Sequence, residues 1–365
     1  MKQTFRFGLV GSLAIVAVVV GGSTVTACGS ESEPTVGPVE FEGGPGFNND
    51  SSGGDGGDPF AGCAKSSKKA EKLPVDMVIG LDTSFSMDFD SKWANVRDAM
   101  KAFVGNPAYA DLGIALQFFP LRKQCSVADY TLPAVALGLQ PLVRSAITTS
   151  LDAQQMFGGT PIVPLLEGLT KYLQTNANPA RKQVIVLATD GVPDDTCLAE
   201  TATSKANTIA NAVVVADKAL KGTPSIPTFV IGVGSELSAL NAIGQAGGTG
   251  NAILVDTAAN AQAAFLKALD SIRRAAIPCD YELPASGGVS AADTNVTYTP
   301  STGPAQTYAF VGNEAGCVKA PNDGWYFDNE MNPTRVILCK GACDIVKLDD
   351  GGSVGVVFGC PRIVR

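Results

Sequence analysis

Two apolar runs that each end in an aspartate constrain this chain more than any other feature. Val75-Asp76-Met77-Val78-Ile79-Gly80-Leu81 leads into Asp82-Thr83-Ser84-Phe85-Ser86, and Val184-Ile185-Val186-Leu187-Ala188-Thr189 leads into Asp190-Gly191. A short, nearly continuous apolar run bounded by turn residues reads as a strand buried on both faces. From residue 74 to about 276 such strands alternate with helical patterns, which is the signature of a parallel sheet covered by helices. In open sheets of that kind ligands bind beyond the carboxyl ends of the strands. Asp82 and Asp190 both stand at those ends.

The remaining elements follow from periodicity. Ser91 is placed to cap a helix whose Trp93, Val96, Met100 and Phe103 share one face. Residues 114–119 read as a second strand and 130–139 as a third, paired with the second as an antiparallel edge through the loop that holds Cys125. Helices are expected over about 142–151, 161–175 and 205–220, and strands over 228–233 and 252–255. Asn260 is placed to cap a last helix to residue 276, with Ala263, Leu266, Leu269 and Ile272 toward the sheet. The expected fold is a doubly wound, mostly parallel six-stranded α/β sheet. Beyond Ile277-Pro278-Cys279 the pattern changes to short strand-like runs, at 295–298, 307–311, 335–338 and 353–358, separated by Gly, Pro and Asp turns. This reads as a small disulfide-stapled β module.

The N-terminus has the form of an export signal. Lys2 and Arg6 precede an apolar run over 9–20, too short for a comfortable membrane span, and small residues lead to Val25-Thr26-Ala27-Cys28. Residues 28–62 are acidic and rich in Gly, Ser and Pro, a composition that cannot bury enough apolar surface to offset the entropy of ordering. As a coil, such a segment reaches roughly 30 Å. The resulting partition is 1–27 signal, 28–62 tether, 63–276 α/β domain and 277–365 Cys-rich module.

The chain has 9 cysteines and no histidine. With Cys28 set aside, Cys63, Cys125, Cys197, Cys279, Cys317, Cys339, Cys343 and Cys360 remain, and an even remainder in an exported chain favours disulfides. Their connectivity does not follow from spacing; a bridge between Cys125 and Cys197, both just past strand ends on one edge, would stiffen the face carrying Asp82 and Asp190. A zinc site is disfavoured, because only Cys339 and Cys343 are closely spaced. The net charge of −8, without any Lys/Arg cluster, excludes nucleic acid as a partner.

Between the two aspartates lies Gly158-Gly159-Thr160-Pro161. The order strand-Asp-x-Ser-x-Ser, Gly-Gly-Thr-Pro, strand-Asp-Gly resembles the metal-ion-dependent adhesion site of the von Willebrand factor A family, with Asp82, Ser84, Ser86, Thr160 and Asp190 at the five matching positions. The resemblance implies that Ser84, Ser86 and Thr160 ligate a Mg²⁺ ion directly, that Asp82 and Asp190 hold it wholly or partly through water, and that one position stays open for an Asp or Glu of a protein partner. Mn²⁺ is expected to substitute and Ca²⁺ to do so poorly, since it prefers longer bonds and more ligands. Asp88, Asp90, Asp194 and Asp195 crowd the same loops and read as solvated carboxylates, with a second cation site as the alternative. Val25-Thr26-Ala27-Cys28 resembles a bacterial lipobox, which implies lipid on Cys28 and an envelope or surface location; inner or outer membrane stays open. The segment Gly324-Trp325-Tyr326-Phe327-Asp328 and the closing Phe358-Gly359-Cys360 resemble the tails of other exported bacterial A-domain proteins.

The expected function is therefore metal-dependent protein binding by a membrane-tethered, non-enzymatic protein. The alternatives are an envelope scaffold with a structural metal, and a metal-assisted hydrolase. Ser84 stands where a phosphatase of similar sheet would carry its second aspartate, and there is no histidine to activate a serine.

Overall fold

The computed structural model describes residues 60, 63–64, 66–70, 74–194, 197, 206–234, 236–256, 260–283, 290–349 and 351–365. Cys28, the expected lipobox, the expected tether apart from Phe60, and Asp195 lie outside them.

A first strand, β1 (Ser66–Ala70), precedes the α/β domain, which runs β2 (Val75–Asp82), α1 (Lys92–Gly105), β3 (Gly113–Phe119), β4 (Val135–Leu139), α2 (Gln140–Asp152), α3 (Ile162–Thr175), β5 (Lys182–Thr189), α4 (Ile209–Leu220), β6 (Thr228–Val233), α5 (Asn241–Ala246), β7 (Ile253–Val255) and α6 (Ala261–Ala276). Strand order is β4-β3-β2-β5-β6-β7. Every pairing is parallel except that of β3 with β4. All eight residues of β2 are buried, and period-two alternation sorts them. Met77, Ile79 and Leu81 face the core beneath α1 and α6, while Val78 faces that beneath α3 and α4. Each such side chain contributes about 1.5–3 kcal/mol, so the strand that ends in Asp82 is fixed on both faces.

Three local expectations change. The third strand begins at Val135, because Pro133 cannot donate to a ladder; Tyr130 lies in a short 3₁₀ turn and is fully buried against Gly168 of α3. Ser91 and Asn260 are both left-handed, and neither side chain caps its helix. On α6 the inward face is Phe265, Ala268, Leu269 and Ile272; Ala263 is exposed and Leu266 half-buried.

After α6 come β8 (Asp280–Glu282), β9 (Thr294–Thr299), β10 (Gln306–Phe310), β11 (Gly324–Phe327), β12 (Arg335–Leu338), α7 (Lys340–Leu348) and β13 (Ser353–Phe358). They form a second sheet, β1-β13-β9-β10-β11-β12-β8. Its core holds Trp325, whose ring meets Phe310 and Phe327 at 5.0 Å and whose indole N–H donates to the Tyr308 carbonyl at 3.0 Å. Grouped by sequence with the α/β domain, residues 63–70 belong instead with this sheet: β1 pairs antiparallel with β13, and Cys63 is bonded to Cys360. The α/β domain is thus an insertion between two strands of the second module. Helix α7 was not expected; it carries Ala342, Cys343 and Val346 on its buried face. All four bridges form: Cys63–Cys360, Cys125–Cys197, Cys279–Cys343 and Cys317–Cys339. No helix among the described residues is long and apolar enough to cross a membrane.

The C-terminal ends of α6 and α7 clasp each other. Lys347 Nζ donates to the Ala275 carbonyl at 2.8 Å, and Arg274 donates to the Leu348 carbonyl at 3.2 Å. The turn after α7 is held by Asp349, whose Oδ2 accepts from the Tyr298 hydroxyl at 2.6 Å and the Ser301 N–H at 2.8 Å. The Tyr298 hydrogen bond, followed by that of Ser301, holds the Asp349 carboxyl well below its usual value. A lowered folded-state value contributes stability that is fully present above the unfolded value, near 4, shrinks below it, and is gone only once pH has fallen through the folded value. Asp349→Asn should therefore lower the melting temperature at pH 7 but clearly less at pH 2, where protons begin to compete with the hydrogen bonds to the carboxylate. An equal loss at both would show that the carboxylate charge is irrelevant there.

Candidate metal site

Asp82 closes β2 and is fully buried. Its Oδ1 accepts the Ser84 N–H at 2.7 Å and its Oδ2 the hydroxyl of Thr189, last residue of β5, at 2.6 Å. The two central strand ends are thereby tied through one carboxylate. Burial pushes the Asp82 carboxyl up to about 7; the hydrogen bonds from Thr189 and Ser84 oppose that shift, and the neighbouring Asp190 charge adds to it. Among the described residues no lysine or arginine pairs with Asp82, so it is a buried carboxylate lacking a cation.

Next in the chain, a 3₁₀ turn over Phe85–Asp88 folds the serines back on themselves. Ser84 Oγ and Ser86 Oγ stand 3.1 Å apart. Ser86 donates to Asp190 Oδ1 at 2.7 Å, and Ser84 to the same oxygen at 3.4 Å. Thr160 arrives on a loop stitched to the first one by Phe85 N–H to the Gly158 carbonyl and Phe157 N–H to the Thr83 carbonyl. Gly158 makes that turn at φ +71°, where a side chain would also strike Pro120. The Thr160 hydroxyl lies against Gly191: a Cβ there would come within 2.9 Å of Thr160 Oγ1. Thr160 is anchored from behind, its N–H on Asp194 Oδ2 at 3.0 Å and its carbonyl on Asn207 Nδ2 at 2.9 Å. Cys125–Cys197 links the loops after β3 and β5 beside it.

The structure thus gathers Asp82, Ser84, Ser86 and Asp190 by direct hydrogen bonds and sets Thr160 at Gly191. Asp88 and Asp90 are solvent-exposed, and Asp194 serves the Thr160 backbone. Among the described residues no cluster of three or more His, Cys, Asp or Glu side chains is placed to hold a metal. The fit to a hard dication is nonetheless good in kind. The donors are oxygens, two of them carboxylates that balance its charge, and one carboxylate is buried without a counter-ion.

Two features were missed in the sequence. Lys92, first residue of α1, places Nζ 2.9 Å from Asp190 Oδ2 and 3.5 Å from the Ser86 carbonyl. A cation opposes the helix dipole at an N-terminus, and that oddity was the available signal. The second is an apolar rim: Phe85 and Phe89 are 58% and 52% exposed and meet edge to face at 5.4 Å, with Phe157 and Val192 also exposed.

No family model matches this chain. No curated protein matches it either. Solved structures do. A von Willebrand factor type A protein from Catenulispora acidiphila is 16% identical, over 81% of this chain and 60% of that one, with a TM-score of 0.40. The vWF domain of the type V pili tip protein Mfa5 from Porphyromonas gingivalis is 13% identical, over 60% of this chain and 99% of its own, at 0.42. The manganese-loaded TRAP protein of Plasmodium vivax is 17% identical, over 65% and 90%, at 0.39. This chain therefore spans less than two thirds of the first of these proteins.

Proposed function

We propose that the chain is an exported protein that binds a protein partner through a divalent cation, Mg²⁺ or Mn²⁺, held by Asp82, Ser84, Ser86, Thr160 and Asp190. The observation that carries this reading is the convergence of the Ser84 and Ser86 hydroxyls on Asp190 Oδ1 beside Asp82, a buried carboxylate that no lysine or arginine among the described residues pairs. A cation bound there supplies an electrophilic position for an anionic oxygen. Its direct ligands would be mostly neutral hydroxyls, so it would stay electrophilic although two carboxylates balance its formal charge, and the preferred last ligand is an Asp or Glu of the partner. The exposed rim of Phe85, Phe89, Phe157 and Val192 supports a protein as that partner, since each of the three site loops contributes apolar surface beside the opening. The chain enters and leaves the second module at the opposite end of the sheet, through Pro74 and the end of α6, so the site faces outward.

Four disulfides support an oxidising compartment. A lipid on Cys28 and a tether that ends where Phe60 packs with Val357 and Cys360 complete the proposed envelope anchoring. The role is binding and not catalysis, because the position that would carry a second acid/base carboxylate is the Ser84 hydroxyl, already engaged with Ser86 and Asp190. The alternative is an envelope scaffold in which the metal is structural; against it, Lys92 and Ser86 already tie Asp190 without an ion.

Capture from the native envelope with and without chelator separates the two readings. Adhesive binding should be lost in chelator and restored by Mg²⁺, and Thr160→Ala should weaken it by about 2–5 kcal/mol while leaving the melting temperature nearly unchanged. Capture that is indifferent to chelator would favour the scaffold.

A further inference from the structure

We propose that Lys92 sets the charge of the metal site, weakening its hold on the cation and making the loaded site attractive to an anionic oxygen. The inference rests on the metal-site reading above and deepens it.

The Asp190 side chain is fully buried and its two oxygens are divided. Oδ1 accepts from the two serines, whereas Oδ2 faces the ammonium of Lys92, whose side chain is only 17% exposed. Helix geometry does not account for a lysine here. It is the first residue of α1, where the dipole repels a cation, and it is delivered by two consecutive left-handed residues, Asp90 at φ 53° and Ser91 at φ 56°. The placement is therefore maintained against local preference.

The consequence is electrostatic. Two ionised carboxylates, Asp82 and Asp190, balance a dication, and the ammonium is then surplus. A like charge fixed on one of the ligating carboxylates opposes the incoming cation. Once the cation is bound, the same surplus charge favours an anion at the open position. Removing the ammonium while keeping the bulk of the side chain should move the two affinities in opposite directions.

The test uses Lys92→Met, with Lys92→Gln as a second neutral variant and Lys92→Arg as the charge-conserving control. Calorimetry reads Mg²⁺ affinity. Water-proton relaxation of the Mn²⁺-loaded protein, titrated with acetate, reads displacement of metal-bound water by a carboxylate. Both neutral variants should bind Mg²⁺ about tenfold more tightly and need about fivefold more acetate, while Lys92→Arg stays near the parent in both. Equal or weaker Mg²⁺ binding in the neutral variants would overturn the proposal and leave Lys92 a mere prop for Asp190; so would tighter Mg²⁺ binding with an unchanged acetate titration. If neither the parent nor any variant binds Mg²⁺ or Mn²⁺, the metal-site reading itself fails, and this inference with it.

Discussion

Asp82→Ala should lower the affinity for Mg²⁺ by about two orders of magnitude or more. Loss of partners that merely orient a ligand costs about 10–100-fold in metal sites, and Asp82 does more than orient. It is one of only two carboxylates in the set, and it holds both the Ser84 N–H and the Thr189 hydroxyl next to Asp190. Its removal takes away charge and loosens two loops together. The fold should survive in chelator, because burial already disfavours the ionised carboxylate and alanine needs no counter-ion. Gly191→Ala provides an independent check through sterics: its Cβ would come within 2.9 Å of Thr160 Oγ1 and displace that hydroxyl, for a loss of about tenfold. Isothermal calorimetry on the metal-stripped protein measures both. Unchanged affinity in Asp82→Ala would remove Asp82 from the site.

The double change Cys63→Ser with Cys360→Ser should destabilise the second module by about 3–5 kcal/mol. These residues lie 297 positions apart, and the entropy removed from the unfolded chain grows with the loop that is closed, although the bridges inside that loop shorten the effective path. The bridge also does a topological job. It secures β1, the one strand of the second sheet that lies on the far side of the inserted domain, and Phe60 packs beside it with Val357 and Cys360. Metal affinity should be unaffected, since the site belongs to the other sheet. The chain's two tryptophans fall one to each part, Trp93 in α1 and Trp325 in β11, so guanidinium unfolding of Trp93→Phe and Trp325→Phe backgrounds reports each separately. The loss should appear in the Trp325 signal. An unchanged midpoint there would show that strand pairing alone holds β1.

What the sequence revealed about the site came from strand ends and from one motif order. The strand ends at Asp82 and Asp190 were visible because buried parallel strands must end somewhere polar, whereas Ser84, Ser86 and Thr160 were singled out by the resemblance of the Asp-x-Ser-x-Ser, Gly-Gly-Thr-Pro, Asp-Gly order to a metal-ion-dependent adhesion site. Lys92 offered only the oddity of a cation at a helix start, since its contact with Asp190 depends on a turn of two left-handed residues. The α/β order was legible for the same reason as the strands, whereas the membership of β1 was not: pairing across an inserted domain leaves no local trace. Helix α7 was hidden among short strands, although Cys339 and Cys343, four apart, have the spacing of one helix face. Disulfide partners depend on tertiary packing, so apart from the Cys125–Cys197 pair, suggested by two strand ends on one edge, only their number was accessible.

The central claim is that these five residues hold a divalent cation, and crystals of the chain grown or soaked in Mn²⁺ test it by anomalous scattering. The account predicts one strong peak enclosed by Ser84, Ser86, Thr160 and Asp190, absent from Asp82→Ala crystals prepared in the same way. No peak at that position in the parent protein, with Mn²⁺ in excess, would contradict it.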